Sequence, residues 1–160
     1  RNLSLNGSVT ATYGKYTNEQ KEVVPMDHIP PMYGKIGASY NFSKLKLEGF
    51  MRFSAAKKLA DYSPSGEDNL SQTAVTAVNA KGEATAWAGT AAWYTLNFRA
   101  AYDVTKHINL NAGIENILDR HYRQFASGVS APGRNIYGIL RIKKKKKNLL
   151  SNLPESSFPI

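Results

Sequence analysis

Histidines, carboxylates and hydroxyls are the side chains best able to do chemistry, and in this chain their spacing does not suit catalysis. His28, His107 and His121 stand apart without metal-ligand spacing, cysteine is absent, and no carboxylate pair accompanies a histidine. Neither a G-x-S-x-G elbow nor a phosphate-binding loop ending in Lys and Ser/Thr is present. The expectation is a protein that is not an enzyme, with no metal site and no cofactor of its own. Binding chemistry remains. Asp27 and His28 bring oxygen and nitrogen donors just ahead of Pro30-Pro31, and His121, Tyr122 and Arg123 form a second polar and aromatic group. Tyr62 and Trp87 are the large aromatics of a long stretch, Lys57 to Ala92, built of Ala, Ser, Thr, Asn and Gly. Stretches of that length are functional or simply solvated. For every one of these residues the plain alternative is an ordinary loop position.

The elements that must hold these residues are legible as period-two alternation. In NLSLNGSVTATY, Leu3, Leu5, Val9, Ala11 and Tyr13 share one face and the Asn, Ser and Thr residues the other. PPMYGKIGASYNF and LKLEGFMRFSA repeat the pattern around Ser43-Lys44, which predicts a hairpin. WYTLNFRAAYDV, INLNAGIENILD and NIYGILRI complete six predicted strands, joined by a short turn after the second and fourth and by long loops after the first (Lys15 to Ile29), third (Lys57 to Ala92) and fifth (Arg120 to Arg134). The faces opposite the apolar rows carry Glu48, Arg52, Arg99, Asp103, Glu115 and Arg141.

Short turns on one rim and long loops on the other are the mark of an outer-membrane β-barrel, whose strands need only about 9–11 residues to cross. A water-soluble sandwich shows the same alternation with its apolar face inward. Two features favour lipid outside: aromatics near the ends of the apolar faces (Tyr13, Tyr40, Phe42, Phe53, Tyr94 and Tyr102), and small residues such as Gly7, Gly49 and Gly138 that would leave a sandwich core thin. No apolar run approaches the roughly 18 residues of a spanning helix.

Composition is that of a folded domain, with 42% hydrophobic and 21% charged residues in 160. The net charge of +9 is concentrated at one end: the last 18 residues set five lysines against Glu155 and so supply +4 of it. This distribution weakens nucleic acid as a partner.

The segment AWYTLNFRAAYDVTKHINLNAGIENILDRHYRQFASGVSAPGRNIYGILRI, with E-N-I-L-D-R-H-Y-R at Glu115 to Arg123 and P-G-R-N at Pro132 to Asn135, closely resembles the C-terminal end of TonB-dependent outer-membrane receptors. HIPPMYGKIGASY, from His28 to Tyr40, also resembles a strand entry of that family, and the resemblance covers residues 1–142. It implies a barrel of about 22 strands around an N-terminal plug. Six strands fall short of the eight or so that the smallest barrel needs, so the expected fold is all-β: the antiparallel C-terminal part of a transmembrane barrel, forming an open curved sheet.

What the resemblance implies for function is active import of a scarce solute across the bacterial outer membrane, an iron-siderophore complex or haem first and a corrinoid next. The TonB system would act through the missing plug domain, and lipid would be the other partner. In such a receptor Asp27, His28, Tyr62, Trp87, His121, Tyr122 and Arg123 would be extracellular-loop ligand candidates, and the six charged residues named above would face lumen or plug. The rival readings are a passive barrel, porin or adhesin, and a soluble β-rich module with a basic tail. Family members usually end in an aromatic residue, but the outward series 136, 138, 140, 142 lands next on Lys144. Residues 143–160 are therefore expected to be foreign to the family, a frameshift or read-through product, with a genuine basic tail as the alternative. The absence of an initiator methionine and a signal peptide suggests a mature or truncated product.

Overall fold

In a computed structural model, the structure describes residues 2–143. The Lys-rich tail from 144 onward, and with it the expectation of a foreign segment, lies outside the described residues.

Ten strands follow one another along the chain: β1 Leu3–Thr10, β2 Lys15–Thr17, β3 Val23–Pro25, β4 Tyr33–Phe42, β5 Leu45–Ser54, β6 Val75–Val78, β7 Ala84–Trp87, β8 Trp93–Asp103, β9 Ile108–Glu115 and β10 Asn135–Ile142. Six of them form one antiparallel sheet in the order β1-β4-β5-β8-β9-β10. These are the six strands legible in the alternation. The two other pairs, β2-β3 and β6-β7, are small hairpins inside segments expected to be plain loops.

Two strands are shorter than the alternation suggests. β1 stops at Thr10 rather than Tyr13, and β9 stops at Glu115 because Asn116 takes a left-handed φ of 49° that a strand cannot continue.

Register carries the alternation across the whole sheet. One row runs Leu3, Tyr40, Leu47, Ala100, Ala112 and Gly138, and the next runs Leu5, Ala38, Gly49, Phe98, Ile114 and Ile136. Between them, on the opposite face, lies Ser4, Ser39, Glu48, Arg99, Gly113 and Tyr137. One face is thus apolar in every strand, and the other is polar and charged.

The apolar face is not covered: Leu5 is 78% exposed and Ile136 75%. Among the described residues the buried hydrophobic side chains reduce to Tyr62. A sandwich would bury these rows against a second sheet, whereas this sheet is a single curved layer with free edges at β1 and β10.

Two glycines receive aromatic rings from the neighbouring strand. A Cβ on Gly113 would meet the Tyr137 ring at 2.5 Å, and one on Gly34 would meet Phe53 Cζ at 2.7 Å. At Gly34 a Cβ would also meet the Ser8 carbonyl oxygen, so a side chain at either glycine would have to displace the ring, and at Gly34 the neighbouring backbone as well.

The short connections lie at one rim. Ser43, at φ 52°, turns β4 into β5, and the Thr105 hydroxyl accepts from the His107 and Ile108 backbone N–H groups at 3.1 Å each to turn β8 into β9. Every long connection lies at the other rim, where the candidate binding residues gather.

Candidate functional site

The long-loop rim is organised around a buried lysine. Lys57 follows β5, and its backbone exchanges two hydrogen bonds with Thr90, just before β8, at 2.9 and 3.1 Å. Its Nζ donates to Asp68 Oδ2 at 2.8 Å and to the Ile29 carbonyl at 2.7 Å. The same ammonium stands 4.2 Å from the Phe125 ring centroid and 4.9 Å from that of Tyr62. A buried ammonium needs this much company, because desolvation is costly unless a counter-ion and further acceptors replace water. Residues from all three long connections, at 29, 57–90 and 125, therefore meet on one side chain.

Tyr62 lies within this cluster rather than at its surface. Its hydroxyl is 2.7 Å from Thr90 Oγ1, and Phe125 meets its ring edge-on at 6.2 Å. Asp27 and His28 sit beside the cluster. His28 donates its backbone N–H to Asp68 Oδ1 at 2.8 Å, and its exposed ring places Nε2 3.0 Å from Glu67 Oε2. The Ser65 hydroxyl donates to Asp27 and holds that carboxyl below its ordinary pKa by stabilising the charged form. Asp27 and His28 thus belong to one contact between the first and second long connections, which their sequence neighbourhood alone does not reveal.

Trp87, half-buried on β7, pairs with Val75 in the second small hairpin. His121 is exposed, Tyr122 packs against Trp93 with ring centroids 4.3 Å apart, and Arg123 donates from Nη1 to the Gln72 carbonyl. The third connection is thereby tied to the second. Of the seven predicted binding residues, Asp27, His28 and Tyr62 converge near Lys57 and Asp68, the 121–123 group lies by Trp93, and Trp87 belongs to neither.

The E-N-I-L-D and P-G-R-N motifs are joined by hydrogen bonds. Asn116, 3% exposed, accepts from the Arg120 N–H at 3.0 Å and donates to the carbonyls of Arg120 and Pro132 at 2.8 and 3.3 Å. Its own N–H donates to Asn97 Oδ1 at 3.0 Å. Asp119 Oδ1 accepts from the Arg134 N–H at 2.7 Å, and Arg134 Nε donates to the Ile117 carbonyl at 3.0 Å. The motifs close a loop and set the start of β10.

On the charged face, Glu48, Arg52, Arg99, Asp103, Glu115 and Arg141 all share the side opposite the apolar rows, as their register positions require. Glu48 accepts from Lys35 at 3.0 Å and from Arg99 through both Nε and Nη2, at 2.9 and 3.0 Å. Phe50 lies under both cations, 4.1 Å from Lys35 Nζ and 5.0 Å from Arg99 Cζ. Phe50 breaks the alternation, and that break was its one sequence signal. Asn116 was marked as part of the E-N-I-L-D motif and Asn97 only as one polar position of an alternating strand, whereas Lys57 and Asp68 gave no signal, being polar residues among many in polar stretches.

The arrangement offers hydrogen-bond donors, ion pairs and aromatic faces, a vocabulary of binding. Among the described residues no group of three or more His, Asp or Glu is placed to hold a metal ion.

Comparison with known proteins gives two findings. A family model described as "TonB dependent receptor-like, beta-barrel" matches residues 2–117. The solved structure of "Copper transporter OprC" superposes with a TM-score of 0.64 at 20% identity, over 88% of this chain and 20% of that one. At that identity the likeness is one of fold, and this chain spans about a fifth of that structure's length. No curated protein matches.

Proposed function

The chain belongs to the TonB-dependent receptor β-barrel family, and from that premise we propose that it is a stretch of barrel wall from an outer-membrane transporter. The observation that carries this reading is the register: six strands hold apolar rows, open to the surroundings, on one face and Glu48, Arg99 and their charged neighbours on the other. Lipid satisfies the first face, and a wetted or plug-filled lumen satisfies the second. The six-strand span and its two free edges match a segment of a far larger barrel.

The activity proposed is uptake of a scarce solute bound at the long-loop rim, energised by the TonB system through a plug domain. An iron complex, siderophore-bound or haem, is the solute class proposed first, with a corrinoid second. Copper joins the test set because the structural neighbour is named as a copper transporter. Exposed His28 and His121, with the aromatic and basic side chains beside them, support a role for this rim in holding a metal complex.

The experiment is uptake of labelled ferric siderophore, haem, cobalamin and copper by cells that express the complete gene, with and without a functional TonB system. Uptake of one solute that disappears without TonB is the expected result. Uptake that persists without TonB would replace active import with a passive barrel.

A further inference from the structure

Left-handed backbone at a residue that carries a Cβ is unfavourable, and it persists only where the surroundings enforce it. His28, Asn69 and Ala126 take φ of 60°, 56° and 56°, one in each long connection. All three are tied to two consecutive residues of the second connection. Asp68 Oδ1 accepts the His28 backbone N–H at 2.8 Å, and Asn69 Nδ2 donates to the Ala126 carbonyl at 3.0 Å. Asp68 Oδ2 takes the Lys57 ammonium, which also holds the Ile29 carbonyl and lies over the ring of Phe125, the neighbour of Ala126. Asparagine and histidine tolerate a left-handed φ better than most residues, whereas alanine brings no polar side chain to offset it.

These bonds cannot be released one at a time. Asp68 is 2% exposed, so losing either partner leaves a carboxylate oxygen buried and unpaired. Once Lys57 leaves, both charges need water, and water reaches them only if the connections separate. The strain at 28, 69 and 126 favours the same outcome, a relaxed backbone. Segments that depend on one another in this way open as a unit. A hollow of about 330 Å³ lies beside them, lined by Tyr33, Ser54 and Trp93 from the ends of β4, β5 and β8, by Pro31 just after the first connection and by Phe125 of the third. We propose that the three long connections form one latched lid, which opens in a single step when Asp68 lets go of Lys57 and His28, and which uncovers that hollow. The inference goes beyond the transport reading and does not depend on it, since a passive barrel would carry the same lid.

The test is hydrogen exchange, read by mass spectrometry on the protein encoded by the complete gene in neutral detergent, with peptides from 15–29, 57–92 and 120–134 followed side by side. Asp68→Asn should speed exchange in all three segments by a common factor of roughly tenfold or more, while β4 and β5 keep the wild-type rate. Ala126→Gly removes strain and deletes no hydrogen bond, so it should slow exchange several-fold in all three segments. That includes 15–29, a segment joined to residue 126 by way of Asn69 and Asp68. A purely local role for Ala126 would confine its effect to 120–134, and that result overturns the proposal. Acceleration by Asp68→Asn confined to 57–92 overturns it too. Should Asp68→Asn not reach the folded form, Ala126→Gly carries the comparison by itself.

Discussion

Lys57 Nζ and Asp68 Oδ2 lie 2.8 Å apart with side chains 3% and 1% exposed, and this pair joins the end of β5 to a loop eleven residues on. Removing one partner strands the other as a buried charge. Lys57→Met or Asp68→Asn should therefore cost about 3–5 kcal/mol of local stability. Hydrogen exchange of the 57–92 connection would report the loss, and the double change Lys57→Met with Asp68→Leu should recover much of it. A loop that exchanges no faster in Lys57→Met would show that the pair carries little.

Asn116 supports a closure, and its cost should be visible in two parts. Asn116→Gly keeps the left-handed backbone but loses three side-chain hydrogen bonds, for about 2–3 kcal/mol. Asn116→Ala should be worse by roughly a further 1 kcal/mol because alanine resists φ 49°. Thermal unfolding of both variants in detergent gives the order, and an alanine variant as stable as the glycine one would remove the backbone argument.

The face assignment is testable by where a charge is tolerated. Phe98→Arg, in the middle apolar row, should cost about 2–4 kcal/mol in a bilayer, whereas Ser39→Arg on the opposite face should cost far less. Folding titrations in lipid vesicles distinguish them. Equal costs would mean that the apolar rows do not meet lipid.

The Glu48 network should matter less than its geometry suggests. Arg99 and Lys35 are 47% and 34% exposed, so Glu48→Gln should cost under about 1 kcal/mol and the effect should shrink with salt. Glu48→Lys, which sets a third cation between two others, should be distinctly more damaging in urea titrations.

Asp27 gives a pH dependence whose sign is fixed. Its pKa is lowered in the folded state by the Ser65 hydroxyl, so its contribution is present above the unfolded aspartate value of about 3.9 and is lost as pH falls through the lower folded value. Protease protection of the 15–29 connection should weaken in that acid window in the wild type, and Ser65→Ala should move the change to higher pH.

The sheet was legible because alternation is local: Leu45, Leu47, Met51 and Phe53 announce a strand without knowing what lies beside it. Which face each strand turns to lipid followed from the same alternation, whereas the register between strands did not, since a two-residue shift leaves the faces aligned. The rim was not legible in the same way. Lys57 meets Ile29, Asp68 and Phe125 across 28, 11 and 68 positions, and no spacing rule connects them. The β2-β3 and β6-β7 hairpins hid for a related reason, being strands of three and four residues whose turns are made by Asn18 and Asn79 side chains bonding to backbone two to four residues ahead. Asp27, His28 and Tyr62 were singled out one by one as loop candidates for ligand binding; that they gather around Lys57 and Asp68 was not legible, because that lysine looked like one solvated charge among many.

The rings that lie over Gly34 and Gly113 also make the strand pairing self-checking. Hydrogen bonds between β-strands are nearly indifferent to a shift of two residues, because the ladder repeats and the same faces stay aligned. Such a shift would set Tyr137 against Asn111 or Glu115, and Phe53 against Met32 or Ile36, where no hollow receives the ring. Steric fit at two positions thus acts as a proofreading step during assembly, rejecting near-register pairings that backbone bonding alone would accept.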